Sequence, residues 1–236
     1  MIQLVGFDGD DTLWENEQAF HLANAELRAL LAPHCDADVL DRRLLDVQRA
    51  NLQMYGYGAK AFTLSVIETA AQLAGDRLTV DDVRAILAIG KNLLAHPMVL
   101  LDGAADAVRA VAAGVPVVLV TKGDLIHQEA KVAGSGLGDL FRGVEIVSEK
   151  DPDTYRQVCA RYGVEPERFV MVGNSLRSDV APVLEIGGWG VYVPHELTWA
   201  MEHPDDEDAI RAHPRFRALA SIAELDDLLA DLDARP

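Results

Sequence analysis

Polar and apolar positions change their period twice along this chain. Residues 2–8, "IQLVGFD", are short, mostly apolar and partly β-branched, the pattern of a buried strand. From about residue 17 to 96 the period becomes helical. "NEQAFHLANAELRALL" puts Phe20, Ala23, Leu27 and Leu30 on one face, and "DADVLDRRLLDVQRANLQM" does the same with Leu40, Leu44, Val47 and Met54. "AKAFTLSVIETAAQLAG" carries Phe62, Val66, Ala70 and Leu73 before a stop at Gly75. "TVDDVRAILAIGKNLLAHP" opens with Thr79 and Asp82 at capping-box spacing and ends before Pro97. Four consecutive amphipathic helices predict a small bundle.

After Pro97 strands and helices alternate. "VPVVLVT", "GVEIVS", "RFVMVG" and "WGVYVP" read as strands, separated by the helical stretches "GAADAVRAVAAG", "DLIHQEAKVAGSG", "DTYRQVCARYG" and "SDVAPVLEIG"; "SIAELDDLLADL" closes the chain as a helix. Continuous apolar strands alternating with helices predict an α/β domain whose parallel sheet is covered on both faces. That domain spans residues 1–15 and 98–236, and the bundle, residues 16–97, is inserted after its first strand.

The chain has 236 residues, half of them apolar, and a formal net charge of −17. Such an acidic protein is a poor generic partner for nucleic acid or an anionic membrane, and any phosphate site must supply its own local positive charge. The two cysteines, Cys35 and Cys159, form no CxxC motif, which fits a reducing cytoplasm. No apolar run reaches membrane-spanning length. The acidic "PDDEDA" at 204–209 reads as a solvated loop and helix start.

Candidate chemistry gathers where the strands end, the place where open parallel sheets bind ligands. Strand one runs into Asp8, with Asp10 and Asp11 in the next turn. The second strand ends in Thr121 and Lys122, the third leads to Lys150, and the fourth to Asn174, Ser175 and Asp179. Clustered carboxylates are costly unless a hard cation sits among them, and Mg²⁺ favours a few carboxylate oxygens, water and phosphate oxygens. One carboxylate can then attack phosphorus. A second, two residues on, kept protonated by its negative neighbour, can protonate the leaving oxygen. Asp11 is expected to point elsewhere.

These residues carry a resemblance. "FDGDDTLW" resembles motif I (DxDx[TV]) of the haloacid dehalogenase superfamily of hydrolases. Thr121 is similar to its motif II hydroxyl, Lys150 to its motif III lysine, and "GNSLRSD" to its motif IV. The four motifs occur in the family's order across nearly the whole chain. The resemblance implies a Rossmann-like, doubly wound parallel sheet with an inserted helical cap. It implies Asp8 as nucleophile and metal ligand, and Asp10 as general acid/base with its carbonyl on the metal. Thr121 and the Lys122 amide would hold phosphoryl oxygens, and Lys150 would steady nucleophile and phosphate. Asn174 and Asp179 would lie on the metal side. Asn174 stands where the family commonly has aspartate, so Asp179 is expected to supply most of the motif IV charge. "KDPDTY" replaces the commoner lysine-proline pattern after Lys150.

The leading expectation is therefore a cytoplasmic, Mg²⁺-dependent hydrolase of a small phosphorylated metabolite, working through an aspartyl-phosphate, as a monomer or homodimer. A metal-independent haloacid dehalogenase is the alternative within the family. A phospho-accepting receiver and a catalytically silent scaffold are alternatives outside that chemistry. A calcium loop starting at Asp8 lacks the required glycine and glutamate, having Leu13 and Ala19 instead. "GSGLG" (134–138) follows a helix and reads as its stop. The histidines show no ligand spacing. In the insert, "YGYGAK" (55–60) is either a turn between helices or a substrate-reading loop in which Tyr57 and Lys60 touch the non-phosphate part.

Overall fold

A computed structural model describes residues 1–234. Six strands form one parallel sheet: β1 (Leu4–Phe7), β2 (Val117–Lys122), β3 (Phe141–Val147), β4 (Phe169–Gly173), β5 (Trp189–Tyr192) and β6 (Phe216–Ala218), in the order β3-β2-β1-β4-β5-β6. The inner strand β1 has all four residues buried. Its neighbours leave it in opposite directions in sequence, so the β1–β4 junction is the topological switch point.

The side-chain alternation of the strands builds two cores. Val5, Phe7, Val117, Leu119, Val170 and Val172 face one side with Ala107, Val108 and Val111 of helix 104–114 and Leu225 and Leu229 of helix 225–233. Leu4, Val118, Val120, Phe169 and Met171 face the other with Tyr155, Val158 and Cys159 of helix 152–162. Both faces being covered explains why these strands read as continuous apolar runs. The fold is the expected doubly wound parallel α/β sheet.

The helices are α1 (Glu17–Leu31), α2 (Ala37–Tyr55), α3 (Ala59–Ala74), α4 (Val80–Leu94), α5 (Ala104–Gly114), α6 (Leu125–Ser135), α7 (Pro152–Tyr162), α8 (Ala181–Glu185), α9 (Glu207–Arg211) and α10 (Leu225–Asp233). The chain divides into two compact units. One holds the sheet and comprises Met1–Glu17, Met98–Lys122 and the chain from Gln128 onward; the other is Gln18–Pro97 with Gly123–His127.

In the helical unit, Ala23, Leu27, Leu40, Leu44, Phe62, Val66, Ile86 and Ile89 form the core. The capping box of α4 is complete: the Thr79 hydroxyl accepts from the Asp82 N–H, and the Asp82 carboxylate accepts from the Thr79 N–H. Met54, expected on the buried face of α2, is instead 79 % exposed, because the last turn of α2 runs past the core that ends near Val47. Gly58 adopts a φ of 103°, and a Cβ there would sit 3.2 Å from the Asp124 nitrogen. The glycines in "YGYGAK" are therefore required by the turn between α2 and α3.

Two further elements depart from the sequence pattern. The helix expected from Ser178 is a π-helical turn, Leu176–Val180, followed by the short α8. Both Asp179 N–H and Val180 N–H donate to the Ser175 carbonyl, at 2.9 and 3.2 Å, which widens the turn. The sixth strand, in "PRFRALA", has no apolar run to announce it. It is a three-residue edge whose Arg217 guanidinium lies 4.7 Å from the Trp189 ring centroid.

Candidate active site

Register alone brings the first site residues together. Phe7 pairs with Leu119 on β2 and Val172 on β4, and Asp8 N–H donates to the Val172 carbonyl at 2.9 Å. Asp8 therefore leaves the sheet between the ends of β2 and β4, flanked by Thr121 and Asn174. The turn that follows is tight. Leu13 and Trp14 N–H both donate to the Gly9 carbonyl, at 2.8 and 3.2 Å, and both side chains are wholly buried. Asp11 closes this turn in the left-handed region at φ 60°. As expected, it points elsewhere: its carboxylate accepts from the Asn16 and Glu17 N–H groups at the start of α1.

Lys150 is the centre of the site's charge. Its ammonium donates to Asp8 Oδ1 and, at 2.6 Å, to Asp179 Oδ1; all three side chains are buried. Burial lowers the lysine's proton affinity, but Asp179 and Asp8 together hold it above its ordinary value. One ammonium between two carboxylates leaves a negative excess. Burial, opposed by Lys150 and reinforced by Asp179 and Asp10, pushes the Asp8 carboxyl up to about 7.

The Thr12 hydroxyl lies 3.0 Å from Asp8 Oδ2 and 3.3 Å from Asn174 Oδ1, and accepts from the Asn174 N–H at 3.0 Å. Two hard oxygens thus converge around one small hydroxyl, one from a carboxylate and one from an amide. That donor chemistry, with the excess charge at Asp8, fits a hard cation such as Mg²⁺. Asp179 faces differently. Its Oδ1 accepts from Lys150 and its Oδ2 from the Ser175 N–H at 2.9 Å, so both oxygens are engaged within the protein. Among the described residues, no group of three or more His, Cys, Asp and Glu side chains surrounds a common metal position.

Asp10 overturns one expectation. The sequence predicts a carboxyl kept protonated by a negative neighbour. Three donors surround it instead: Trp14 Nε1 at 2.6 Å, Lys131 Nζ at 2.8 Å and Gln128 Nε2 at 3.0 Å. Burial raises its proton affinity, yet the Lys131 charge and these hydrogen bonds outweigh it and hold Asp10 below the ordinary carboxylate range. The resting carboxyl is ionised.

Gln128 also binds Thr121 Oγ1 at 3.0 Å and the Lys122 carbonyl at 2.6 Å, so one amide joins Asp10 to the end of β2. The Lys122 ammonium lies 2.7 Å from Glu202 and 2.8 Å from Ser178 Oγ. In the helical unit, Lys60 is bound to both oxygens of Asp124 at 2.9 Å, and Tyr57 is half-buried.

The sequence reading missed Trp14, Gln128, Lys131 and Glu202. Gln128 and Lys131 stand three apart on α6, just after the motif II strand, and that spacing on one helix face is the signal that was there to find. Trp14 and Glu202 carried none. Trp14 reads as core, and Glu202 reaches the site from the irregular segment after β5.

Comparison with known proteins bears on the family and the fold. A solved haloacid dehalogenase-like family hydrolase from Xanthomonas campestris is 47 % identical, with a TM-score of 0.88, over 99 % of this chain and 92 % of that one. The L-2-haloacid dehalogenase of Xanthobacter autotrophicus shares the fold at 19 % identity and a TM-score of 0.66, over 98 % of this chain and 99 % of that one. A phosphoserine phosphatase of Thermus thermophilus is 31 % identical over 101 residues, which cover 41 % of this chain and 39 % of that protein. The chain spans less than half the length of the curated relatives it matches. The model of the haloacid dehalogenase-like hydrolases matches residues 2–187, most of the chain. On that match, and on the four motifs at their strand ends, the chain belongs to the haloacid dehalogenase-like hydrolase family, and is an enzyme of hydrolytic type.

Proposed function

We propose that this hydrolase cleaves a small phosphomonoester through an aspartyl-phosphate on Asp8. The observation that carries the reading is the second carboxylate. Asp10 is built into the site by Trp14, Gln128 and Lys131, and Gln128 joins it to Thr121, whose hydroxyl is the proposed phosphoryl contact. Displacement of halide from carbon needs no such acid/base beside the nucleophile.

In this mechanism an Asp8 oxygen attacks phosphorus as the ester oxygen departs with a proton from Asp10. Water then attacks the acyl phosphate, Asp10 accepts its proton, and phosphate and free Asp8 are released. Thr121 and the Lys122 amide bind phosphoryl oxygens, and Lys150 offsets their charge while holding Asp8 in place. Asp179 acts by orienting Lys150. The ionised resting form of Asp10 suits the second half-reaction directly; the first requires it to take up a proton. Asp8, Asn174 and the Asp10 carbonyl would hold Mg²⁺, which when bound neutralises phosphoryl charge as a Lewis acid.

Hydrolysis of p-nitrophenyl phosphate with and without Mg²⁺, by the wild type and Asp8→Asn, tests the reading. Activity that depends on Mg²⁺ and vanishes in Asp8→Asn is expected. A metal-independent release of chloride from 2-chloropropionate, with no phosphatase activity, would overturn it. That second reading is favoured by one observation, the amide of Asn174 in place of a motif IV carboxylate.

A further inference from the structure

Glu202 lies outside the stretch, residues 2–187, that matches the family model, yet it is bound into the site. It sits on the short helical turn Ala200–Glu202 after β5, with its side chain 17 % exposed. Oε1 accepts from the Lys122 ammonium at 2.7 Å. Oε2 accepts from the Ser175 hydroxyl at 2.6 Å and from the Ser178 hydroxyl. The Lys122 ammonium also donates to Ser178 Oγ at 2.8 Å and faces Glu149 at 3.4 Å. Ser175 caps the π-helical turn, and Ser178 lies within it, one residue before Asp179, which orients Lys150. One carboxylate thus ties the residue after Thr121 to the cap and to the middle of the motif IV turn.

We propose that Glu202 is a positioning residue that clamps Lys122 to the Ser175–Asp179 turn and cancels its charge, so that Lys122 offers a bound anion its backbone amide without an ammonium field. The assignment rests on the proposed function in taking Thr121 and the Lys122 amide as the anion contacts. Charge balance motivates it. With Lys150 already at the site, loss of the Glu202 charge would leave the same sheet edge one positive charge richer and hold the phosphate product more tightly. A unit charge about 10 Å from the anion, at an effective dielectric of ~20, changes binding by roughly tenfold.

Glu202→Gln keeps acceptor and shape but removes the charge. Titration with inorganic phosphate should show roughly tenfold tighter binding than in the wild type. Phosphate should also become a stronger inhibitor of p-nitrophenyl phosphate hydrolysis. Adding Lys122→Met to Glu202→Gln should reverse the gain, and Lys122→Met alone, leaving Glu202 unmatched, should weaken binding. Merely structural damage would weaken phosphate binding in every variant. Unchanged or weaker binding in Glu202→Gln, no reversal by Lys122→Met, or no phosphate binding by any of the proteins would overturn the assignment. If the wild type fails to hydrolyse the ester while Glu202→Gln still gains phosphate affinity, the phosphatase reading fails and the role of Glu202 stands.

Discussion

Replacing Asp8 with asparagine is expected to stabilise the metal-free protein at pH 8 while abolishing turnover. The reason is burial, which with the negative charges of Asp179 and Asp10 outweighs the attraction of Lys150 and leaves the Asp8 carboxyl with a pKa of about 7 in the fold against 3.8 as the ordinary value. Between those values the folded chain binds more protons than the unfolded one. Stability therefore falls as pH rises from about 4 through 7, and the full cost applies above it. Three pKa units correspond to about 4 kcal/mol. The shift already contains the attraction to Lys150, so asparagine removes that net cost, less about 2 kcal/mol for exchanging a carboxyl for an amide in a buried polar pocket, and a net gain of about 2 kcal/mol is expected. For a chain of this size that is a rise in Tm of roughly 4–8 °C. Thermal denaturation in a chelator at pH 5 and pH 8 measures it. At pH 5 less than half of the wild type's cost has developed, so the gap between the proteins must shrink. A variant no more stable than the wild type at pH 8, or a gap independent of pH, would refute the charge argument. Mg²⁺ should raise the wild type's Tm more than the variant's, by about 2.7 kcal/mol of stabilisation at a hundred times its Kd.

Lys131→Met removes the charge that keeps Asp10 ionised. The pH profile of kcat/KM for an alkyl phosphate, whose poor leaving group needs the acid, should shift upward, while p-nitrophenyl phosphate should respond much less. Gly173→Ala would place a Cβ 2.2 Å from Asp179 Oδ2, which Lys150 and the Ser175 N–H hold fixed. A loss of about 3 kcal/mol in chemical denaturation and of most activity is expected. Thr79→Ala breaks the capping box of α4 and should cost about 1 kcal/mol in the same assay, with kcat unchanged.

Much of this protein is legible in local pattern. The strands around β1 are buried on both faces, so each is a plain apolar run, and a run followed by a carboxylate, hydroxyl or lysine marks a strand end by itself. The helices of the insert are amphipathic at a constant period, and Thr79 and Asp82 interact across three residues. Such signals depend on neighbours in sequence, which is why β1, α4 and the order of the four motifs could be read from it. The edge strand β6 could not, because its three residues, Phe216, Arg217 and Ala218, are too few to show a period and owe their conformation to pairing with β5.

What only the tertiary structure decided is the protonation and partnership of the groups so collected. Sequence proximity suggested that Asp8 would keep Asp10 protonated. In space Asp10 is met by Lys131, 121 residues away, and it is Asp8 that gains proton affinity from burial and from Asp179, with Asp10 adding to it. Asp179 turns to Lys150, and Glu202 reaches Lys122 across 80 residues. Electrostatic energy follows distance and desolvation, and the fold sets both. The sequence by itself determined which chemical groups gather at the end of the sheet, because strand order and period place them there. It did not determine which of them share a proton or a charge, because that depends on separations of a few ångströms between segments far apart in the chain.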